Sequence, residues 1–210
     1  MNDLLVANVD KNVLKKLISA NHYSGTCSSI SVGYGVRYKG KLSGGIVFSA
    51  GVGRHANAYC RICKPTEVIE LTRLWLSDEL PKNSESRVVG LALRVLRKGR
   101  GRFRAVLSYA DEFAGHVGTI YQATNFRYMG CTTSNATKIR IGNLIVNSRS
   151  LNSRYGTSQM DRLKKILGTD DIERVGGQTR KHAYVYPLDD VVAAWLEQNK
   201  KPYPKRASVV

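Results

Sequence analysis

Apolar positions recur along this chain with two periods that trade places several times. Between residues 11 and 20, Val13, Leu14, Leu17 and Ile18 fall at helical spacing, and the polar cluster Asn21-His22-Tyr23-Ser24-Gly25 ends the run. From residue 31 to 48, Val32, Tyr34, Val36 and Tyr38 alternate, Lys39-Gly40-Lys41 interrupts, and the stretch to Phe48 turns apolar again, which predicts a hairpin. A Gly-rich, basic, Cys-bearing segment, residues 50–66, reads as a long inserted surface loop before a strand over 67–76. Residues 78–85 then give way to Val88, Val89, Leu91, Ala92, Leu93, Val95 and Leu96, a helix with its Arg and Lys on one side and Ser84 or Ser86 as cap. A strand over 104–109, a helix over 114–123 and a strand over 126–129 follow. The remainder predicts a strand at 138–146, a basic helix at 159–167, a strand at 182–186 and a helix at 191–198. Such alternation implies an α/β sheet in a single domain, residues 1–199, and residues 200–210, with Pro202 and Pro204, read as a flexible basic tail.

Composition narrows the partners. The chain has 33 Lys and Arg against 16 Asp and Glu, a net charge of +17, which repels itself in the compact state unless a polyanion is the working partner. Double-stranded DNA or another nucleic acid leads. No apolar run approaches the length of a membrane span and no secretory or lipidation pattern is present, so no membrane partner is expected and the cytoplasm is the expected compartment. Cys27, Cys60, Cys63 and Cys131, in a chain long enough to stabilise itself, are expected to be reduced.

Several residue patterns carry chemistry, each beside a plainer use. The strand–loop–helix unit starting at Glu70 places backbone N–H groups beside Ser84, Ser86 and Arg87, where a phosphate or carboxylate of an acyl donor would sit; the same serines serve equally as helix caps. Asp111 closes Ser108-Tyr109-Ala110-Asp111 at the end of an apolar strand, the edge at which open α/β sheets bind ligands. It is a general base or metal ligand there, or the N-cap of the following helix. His22, Tyr23, His116 and Tyr121 are further groups able to move protons or hold a metal. Cys60-Arg61-Ile62-Cys63 has zinc-knuckle spacing, but a metal site needs Cys27, His55 or Cys131 to be supplied by the fold. Arg97, Lys98, Arg100, Arg102 and Arg104 flank Phe103 in the densest positive run, either a DNA-tracking surface or a solvated face.

Taken together, Glu70-Leu71-Thr72-Arg73-Leu74, Pro81-Lys82-Asn83-Ser84-Glu85-Ser86, Ser108-Tyr109-Ala110-Asp111 and Gly115-His116-Val117-Gly118-Thr119-Ile120-Tyr121-Gln122-Ala123-Thr124-Asn125-Phe126 resemble the Mom family of phage DNA-modification proteins in order and spacing. His22-Tyr23-Ser24-Gly25 is similar to that family's N-terminal motif, and residues 183–188 to its final strand. The resemblance implies a GNAT-like acyltransferase fold: a mixed, centrally splayed β-sheet flanked by helices, with the acyl donor in the cleft. It also implies conversion of adenine in duplex DNA to its 6-amino carbamoylmethyl derivative, protecting phage DNA from restriction in the cytoplasm of the bacterial host. Carried over by position, it places His22 and Tyr23 near the acceptor, Arg73 on the central strand as a donor-binding residue, Ser86 at the donor turn, Asp111 at the strand edge and Tyr121 on the following helix. A stacked adenine cannot reach such a cleft, so the base must be flipped out, with Tyr23 or a neighbouring aromatic stacking on it.

Arg87-Val88-Val89-Gly90-Leu91-Ala92 only partly resembles the pyrophosphate signature of acetyltransferases. Two donors therefore stand: a glycyl donor such as charged tRNA, or acetyl-coenzyme A with a metal-assisted step. Residues 50–66 and 147–181 fall outside the resemblance. Two other readings stay open, a non-catalytic basic nucleic-acid-binding protein on this scaffold and an ordinary N-acetyltransferase acting on another amine.

Overall fold

The computed structural model describes residues 3–27, 29–50, 57–99, 101–112, 115–134, 138–175 and 179–205. In chain order the elements are β1 (Leu4–Ala7), α1 (Lys11–Asn21), β2 (Val32–Tyr38), β3 (Lys41–Ala50), a 3-10 turn (Pro65–Glu67), β4 (Val68–Leu76), α2 (Ser84–Lys98), β5 (Ala105–Asp111) and α3 (Thr119–Ala123). These are followed by β6 (Arg127–Ser134), β7 (Lys138–Ile141), β8 (Leu144–Asn147), α4 (Ser148–Tyr155), α5 (Met160–Leu167), β9 (Ile172–Val175), β10 (Thr179–Pro187) and α6 (Asp190–Asn199). The chain divides into two compact units, residues 1–131 with 182–210, and residues 132–181.

The first unit is organised on a seven-stranded sheet in the order β1-β2-β3-β4-β5-β10-β6. β1 to β4 pair antiparallel and β4 pairs with β5 in parallel, so the sheet is mixed. Both faces of its centre are buried. On one face Ile46, Phe48, Ile69, Leu71 and Val106 take Val88, Val89, Ala92 and Leu93 of α2. On the other, Val47 receives Leu14 and Ile18 of α1, while Val68, Leu107 and Val185 receive Val192 and Leu196 of α6. α1 seats closely because Gly45 has no side chain: a Cβ there would lie 2.4 Å from Leu14 Cδ1.

The β4–β5 ladder is short. It runs from Val68↔Ala105 to Leu71↔Ser108, after which β4 continues from Thr72 to Leu76 against β3 alone. The parallel pair thus opens at the sheet's centre, and Tyr109 to Asp111 run on beyond the last paired residue. A second irregularity lies on the other side of β4: Phe48 pairs with Leu71 but Val47 pairs with Arg73, so Thr72 is an extra residue in the ladder. This bulge shifts alternation by one and puts Arg73 on the α1 face with Val47 rather than on the α2 face with Leu71.

The second unit is an antiparallel sheet β8-β7-β9 with α4 and α5 over a small core of Ile139, Leu151, Leu163 and Ile172.

Several elements differ from the sequence pattern. β1 and β9 are four residues each, too short to show a period. The strand read at 138–146 is two strands turning at Gly142. The helix read at 114–123 is confined to α3, because Gly115 and Gly118 stand at φ 73° and 81°. Neither serine caps α2: Asn83 is its N-cap, in the left-handed region, while Ser84 Oγ donates to Pro81 O (2.6 Å) and Ser86 Oγ to Asn83 O (3.0 Å). Residues 200–205 of the segment read as a flexible tail are tied down. Lys201 N–H donates to Tyr128 O, Tyr203 Oη to Phe126 O, and Pro204 O accepts from Gln122.

Candidate active site

The opening between β4 and β5 gathers four of the sequence blocks that lie far apart in the chain. His22 terminates α1, its N–H bonding Ile18 O at 2.9 Å, and its ring then turns the chain. Ser24 N–H donates to His22 Nδ1 at 3.1 Å and Ser24 Oγ lies 2.8 Å from the same nitrogen. An Nδ1 that accepts from a backbone N–H carries no proton, so the neutral ring holds its hydrogen on Nε2. The charge state agrees: His22 is lowered to about 4, first by burial and then by the Arg73 guanidinium.

Arg73 holds this loop. Its Nε donates to Thr26 O (2.9 Å), one terminal nitrogen to Thr72 O (2.7 Å) and the other to Thr26 Oγ1 (3.3 Å). All three partners are neutral, so the guanidinium is fixed without its charge being cancelled. That charge also pulls down the Tyr23 phenol and the Cys27 thiol, although in both burial wins and the net direction is upward. Tyr23 is 80% exposed and stacks on His22 with ring centroids 4.3 Å apart. Asp111 acts on the same phenol from the end of β5, raising it, which places Asp111 and Arg73 on either side of Tyr23 electrostatically.

Tyr121 completes the cluster. It is half-buried, its ring 5.3 Å from both Phe126 and Tyr184, and its phenol is raised by burial first, with Tyr23, Glu70 and Tyr184 adding to the rise and the Ser108 hydroxyl opposing it. Ser108 is buried and gives its own proton to Leu71 O at 3.1 Å, the last paired carbonyl before the strands part. The same hydroxyl lies against the Tyr121 phenol and lowers it, which ties Tyr121 to the point of opening. α3 itself is held by Tyr184, whose hydroxyl donates to Val117 O and accepts from Gln122 Nε2 at 3.1 Å. Gly118 is required there: it caps α3 at φ 81°, and a Cβ would lie 2.4 Å from the Tyr184 ring. A 3-10 turn starts at Glu112, directly after Asp111, and the next α-helix, α3, begins at Thr119 with Gly118 as N-cap.

The other expected residues separate into groups. Ser84, Ser86 and Arg87 sit on the first turn of the 15-residue α2, whose N-cap side chain makes no capping bond. Ser84 N–H already donates to Pro81 O and Arg87 N–H to Asn83 O, so the N–H groups of Glu85 and Ser86 are the first-turn donors left for an anion, which the helix dipole favours. Gly90 lies inside the helix with open space around it, so it is no phosphate cradle.

The basic run is not one surface. Arg104 is paired with Asp189 (2.6 Å) and Glu67 (4.0 Å), Arg97 with Asp190 (2.8 Å), and Arg102 lies over Phe103. Lys98 ends α2, and Arg100 lies outside the described residues. Cys60 and Cys63 are buried with their sulfurs 3.3 Å apart, but no group of three metal-binding side chains occurs among the described residues; His55 lies outside them, and Cys27 belongs to the α1 cluster. A cavity of about 420 Å³ lined by Arg97, Arg127, Asp189 and Glu197 includes none of the residues of the opening.

Sequence reasoning missed Ser108 as a hydrogen-bonded hinge, Thr26 and Ser24 as the loop's anchors, Tyr184 beneath α3, and Glu70 beside Tyr109 and Tyr121. Of these, Ser24, Glu70 and Ser108 lie inside the family-like motifs and Tyr184 in the final-strand stretch; Thr26 lies in neither.

A mixed sheet that opens between its two parallel central strands, with a helix N-terminus following the first of them, is the fold of the GNAT acetyltransferases. A CoA complex of RimL, a ribosomal L7/L12 α-N-protein acetyltransferase, superposes with TM-score 0.51 at 9% identity, covering 89% of this chain and 95% of that one. The ribosomal-protein-S18-alanine N-acetyltransferase of Escherichia coli gives 0.51 at 8% identity with the same coverage. Within that fold class the chain belongs to the Mom protein family, whose family model matches residues 3–205. The methylcarbamoylase Mom of Escherichia phage Mu is 47% identical over 62 residues, 30% of this chain. That match spans 26% of the phage protein's length.

Proposed function

We propose that this protein installs a carbamoylmethyl group on the 6-amino nitrogen of adenine in duplex DNA. The observation that carries the proposal is the grouping of Asp111, Tyr23, Tyr121 and the Arg73-held loop at the β4–β5 opening of a Mom-family chain. The net charge of +17 supports a polyanionic substrate, which an ordinary acetyltransferase of another amine would leave without a use.

The adenine amine is a weak nucleophile because its lone pair is delocalised into the ring. A carboxylate that takes its proton as the new bond forms lowers the barrier, and Asp111 has that role. Tyr23, exposed and rigidly stacked on His22, offers a face to the flipped base. His22 stays neutral and presents Nε2–H as a donor, and Arg73 keeps both residues in place. Tyr121 remains protonated and forms a fixed wall.

The uncapped first turn of α2 fits the phosphates of an acyl donor, and an acyl-coenzyme A would supply an activated carbonyl there. The CoA bound to the RimL neighbour supports this donor class. Atom balance supports a glycyl donor: a glycyl amide on the adenine nitrogen is an isomer of the carbamoylmethyl product, whereas an acetyl group is one amide nitrogen short. No helix of the described residues is long and apolar enough to cross a membrane. With its substrate being phage DNA, we place the enzyme in the host cytoplasm.

The test is to express the chain in bacteria, digest plasmid DNA to nucleosides and compare masses with an Asp111→Asn control. A deoxyadenosine heavier by a carbamoylmethyl group, present only with the unaltered chain, is expected. Unchanged nucleosides from soluble protein would overturn the proposal. Purified protein supplied separately with acetyl-coenzyme A and glycyl-tRNA then identifies the donor.

A further inference from the structure

Residues 132–181 form a compact unit that the catalytic reading leaves without a task. Its two eight-residue helices, α4 and α5, are joined by Gly156-Thr157-Ser158-Gln159, with Gly156 at φ 69°. Two short helices joined by a four-residue, Gly-containing turn are the connectivity of a helix-turn-helix, in which the second helix enters the DNA major groove.

The surface chemistry of α5 suits that position. Met160, Leu163 and Leu167 pack into the core of the unit, with Leu163 fully buried. Arg162, Lys165 and Ile166 then share the opposite face, at three- and four-residue spacing, and all three are exposed, Ile166 by 52%. The acidic residues nearby are already engaged. Arg140 takes Asp171 (3.2 Å) and Glu173 (2.9 Å), and Lys164 takes Asp170 (3.3 Å). Asp161 sits in the first turn of α5, where it complements the helix dipole. Arg154, Arg162, Lys165 and Arg174 are exposed and make no ion pair with any described residue. This contrasts with Arg97 and Arg104, whose charges are cancelled.

We propose that α5 is a DNA-reading helix, Arg162 and Lys165 contacting guanine edges or phosphates and Ile166 a thymine methyl, so that this unit selects the sequence around the modified adenine. The inference rests on the duplex-substrate reading above, and binding rather than chemistry is therefore its readout.

The whole chain is titrated against a labelled duplex by fluorescence anisotropy at several salt concentrations, beside Arg162→Ala/Lys165→Ala and a charge-matched control, Lys39→Ala/Lys41→Ala, on the β2–β3 turn. The α5 variant is expected to bind at least tenfold more weakly and to lower the salt slope by about 1 for each phosphate it no longer neutralises, with an unchanged melting temperature and an unaffected control. Where DNA is modified, sequencing of the modified sites is expected to show a broader context in the α5 variant. Equal affinity of the α5 variant and the unaltered chain for duplex would overturn the inference, whatever the nucleoside assay shows. So would tighter binding of single-stranded RNA of equal length, which would make α5 an RNA surface. Loss of binding in the α5 variant of a chain whose nucleosides stay unmodified would instead uphold this inference and overturn the catalytic one.

Discussion

Arg73 and Arg104 are both guanidiniums that fasten a distant segment, and they do opposite things with their charge. Arg104 reaches from the start of β5 to Asp189, which also caps α6 through Val192 N–H, and to Glu67, so its own positive charge is neutralised in a structural knot. Arg73 fastens the His22 loop through the carbonyl and hydroxyl of Thr26, with Thr72 O on its own strand as third partner, and its charge stays available to His22, Tyr23 and Cys27. An arginine's function is therefore set by the charge of its hydrogen-bond partners as much as by its position. Carboxylate partners turn it into a fastener, whereas neutral partners leave it a fixed source of positive potential.

The largest effect is expected at the carboxylate that shares Tyr23 with Arg73. Asp111→Asn keeps the shape but removes the proposed base, and modification of adenine should fall by roughly 10² to 10⁴-fold, read by nucleoside mass spectrometry. A fall below twofold would remove Asp111 from the chemistry.

Arg73 itself separates the two roles. Arg73→Met loses anchor and charge, and activity should drop on the order of tenfold or more; Arg73→Lys keeps the charge and loses the fork, and should recover part of it. In Arg73→Met the His22 titration followed by NMR should rise from about 4 but stay below 6.5, because burial is the larger cause of the shift. A His22 that does not move would mean Arg73 is only a fastener, like Arg104.

A pH dependence follows from the same group. The folded state holds His22 at about 4 against an ordinary 6.5, so the unfolded chain binds more protons between those values. Its contribution to stability is complete above pH 6.5 and is lost as pH falls toward 4, which urea melts at a series of pH values would show. The loss should be smaller in Arg73→Met.

Ser108→Ala should lower activity several-fold, since Tyr121 loses its anchor and Leu71 O its donor. The buried hydroxyl–carbonyl bond is worth about 0.5–1.5 kcal/mol, so a modest drop in melting temperature should accompany its loss. The smallest effect on activity is expected for Arg104→Met. Here the partly exposed pair should cost about 1–2 kcal/mol of stability, discounted for solvent, while activity per folded molecule stays unchanged. Should Arg104→Met abolish modification without unfolding, the contrast between the two arginines fails.

Much of the candidate site was legible in the sequence because its residues lie in short, ordered blocks. His22, Tyr23, Arg73, Asp111 and Tyr121 stand out there, and all five converge on the opening. Local signals misled where the same residue type serves two uses: Ser84 and Ser86 suit a cap, but the left-handed Asn83 took that position and the serines bonded backward. The basic run misled for a different reason. Charge density along a chain says nothing of partners that fold onto it, and Arg104 and Asp189 are 85 positions apart.

By itself the sequence determined the periodicities that make strands and helices and the excess of positive charge, because each depends only on residue type and near neighbours. The tertiary structure decided the rest. The extra residue at Thr72 turns Arg73 toward α1, and Ser108 bonds the last paired carbonyl before β4 and β5 part. Glu67, Asp189 and Asp190 pair with Arg97 and Arg104 of one basic stretch, while α5 keeps another exposed. Strand register and long-range ion pairs are set by packing between segments remote in the chain, so no local pattern encodes them.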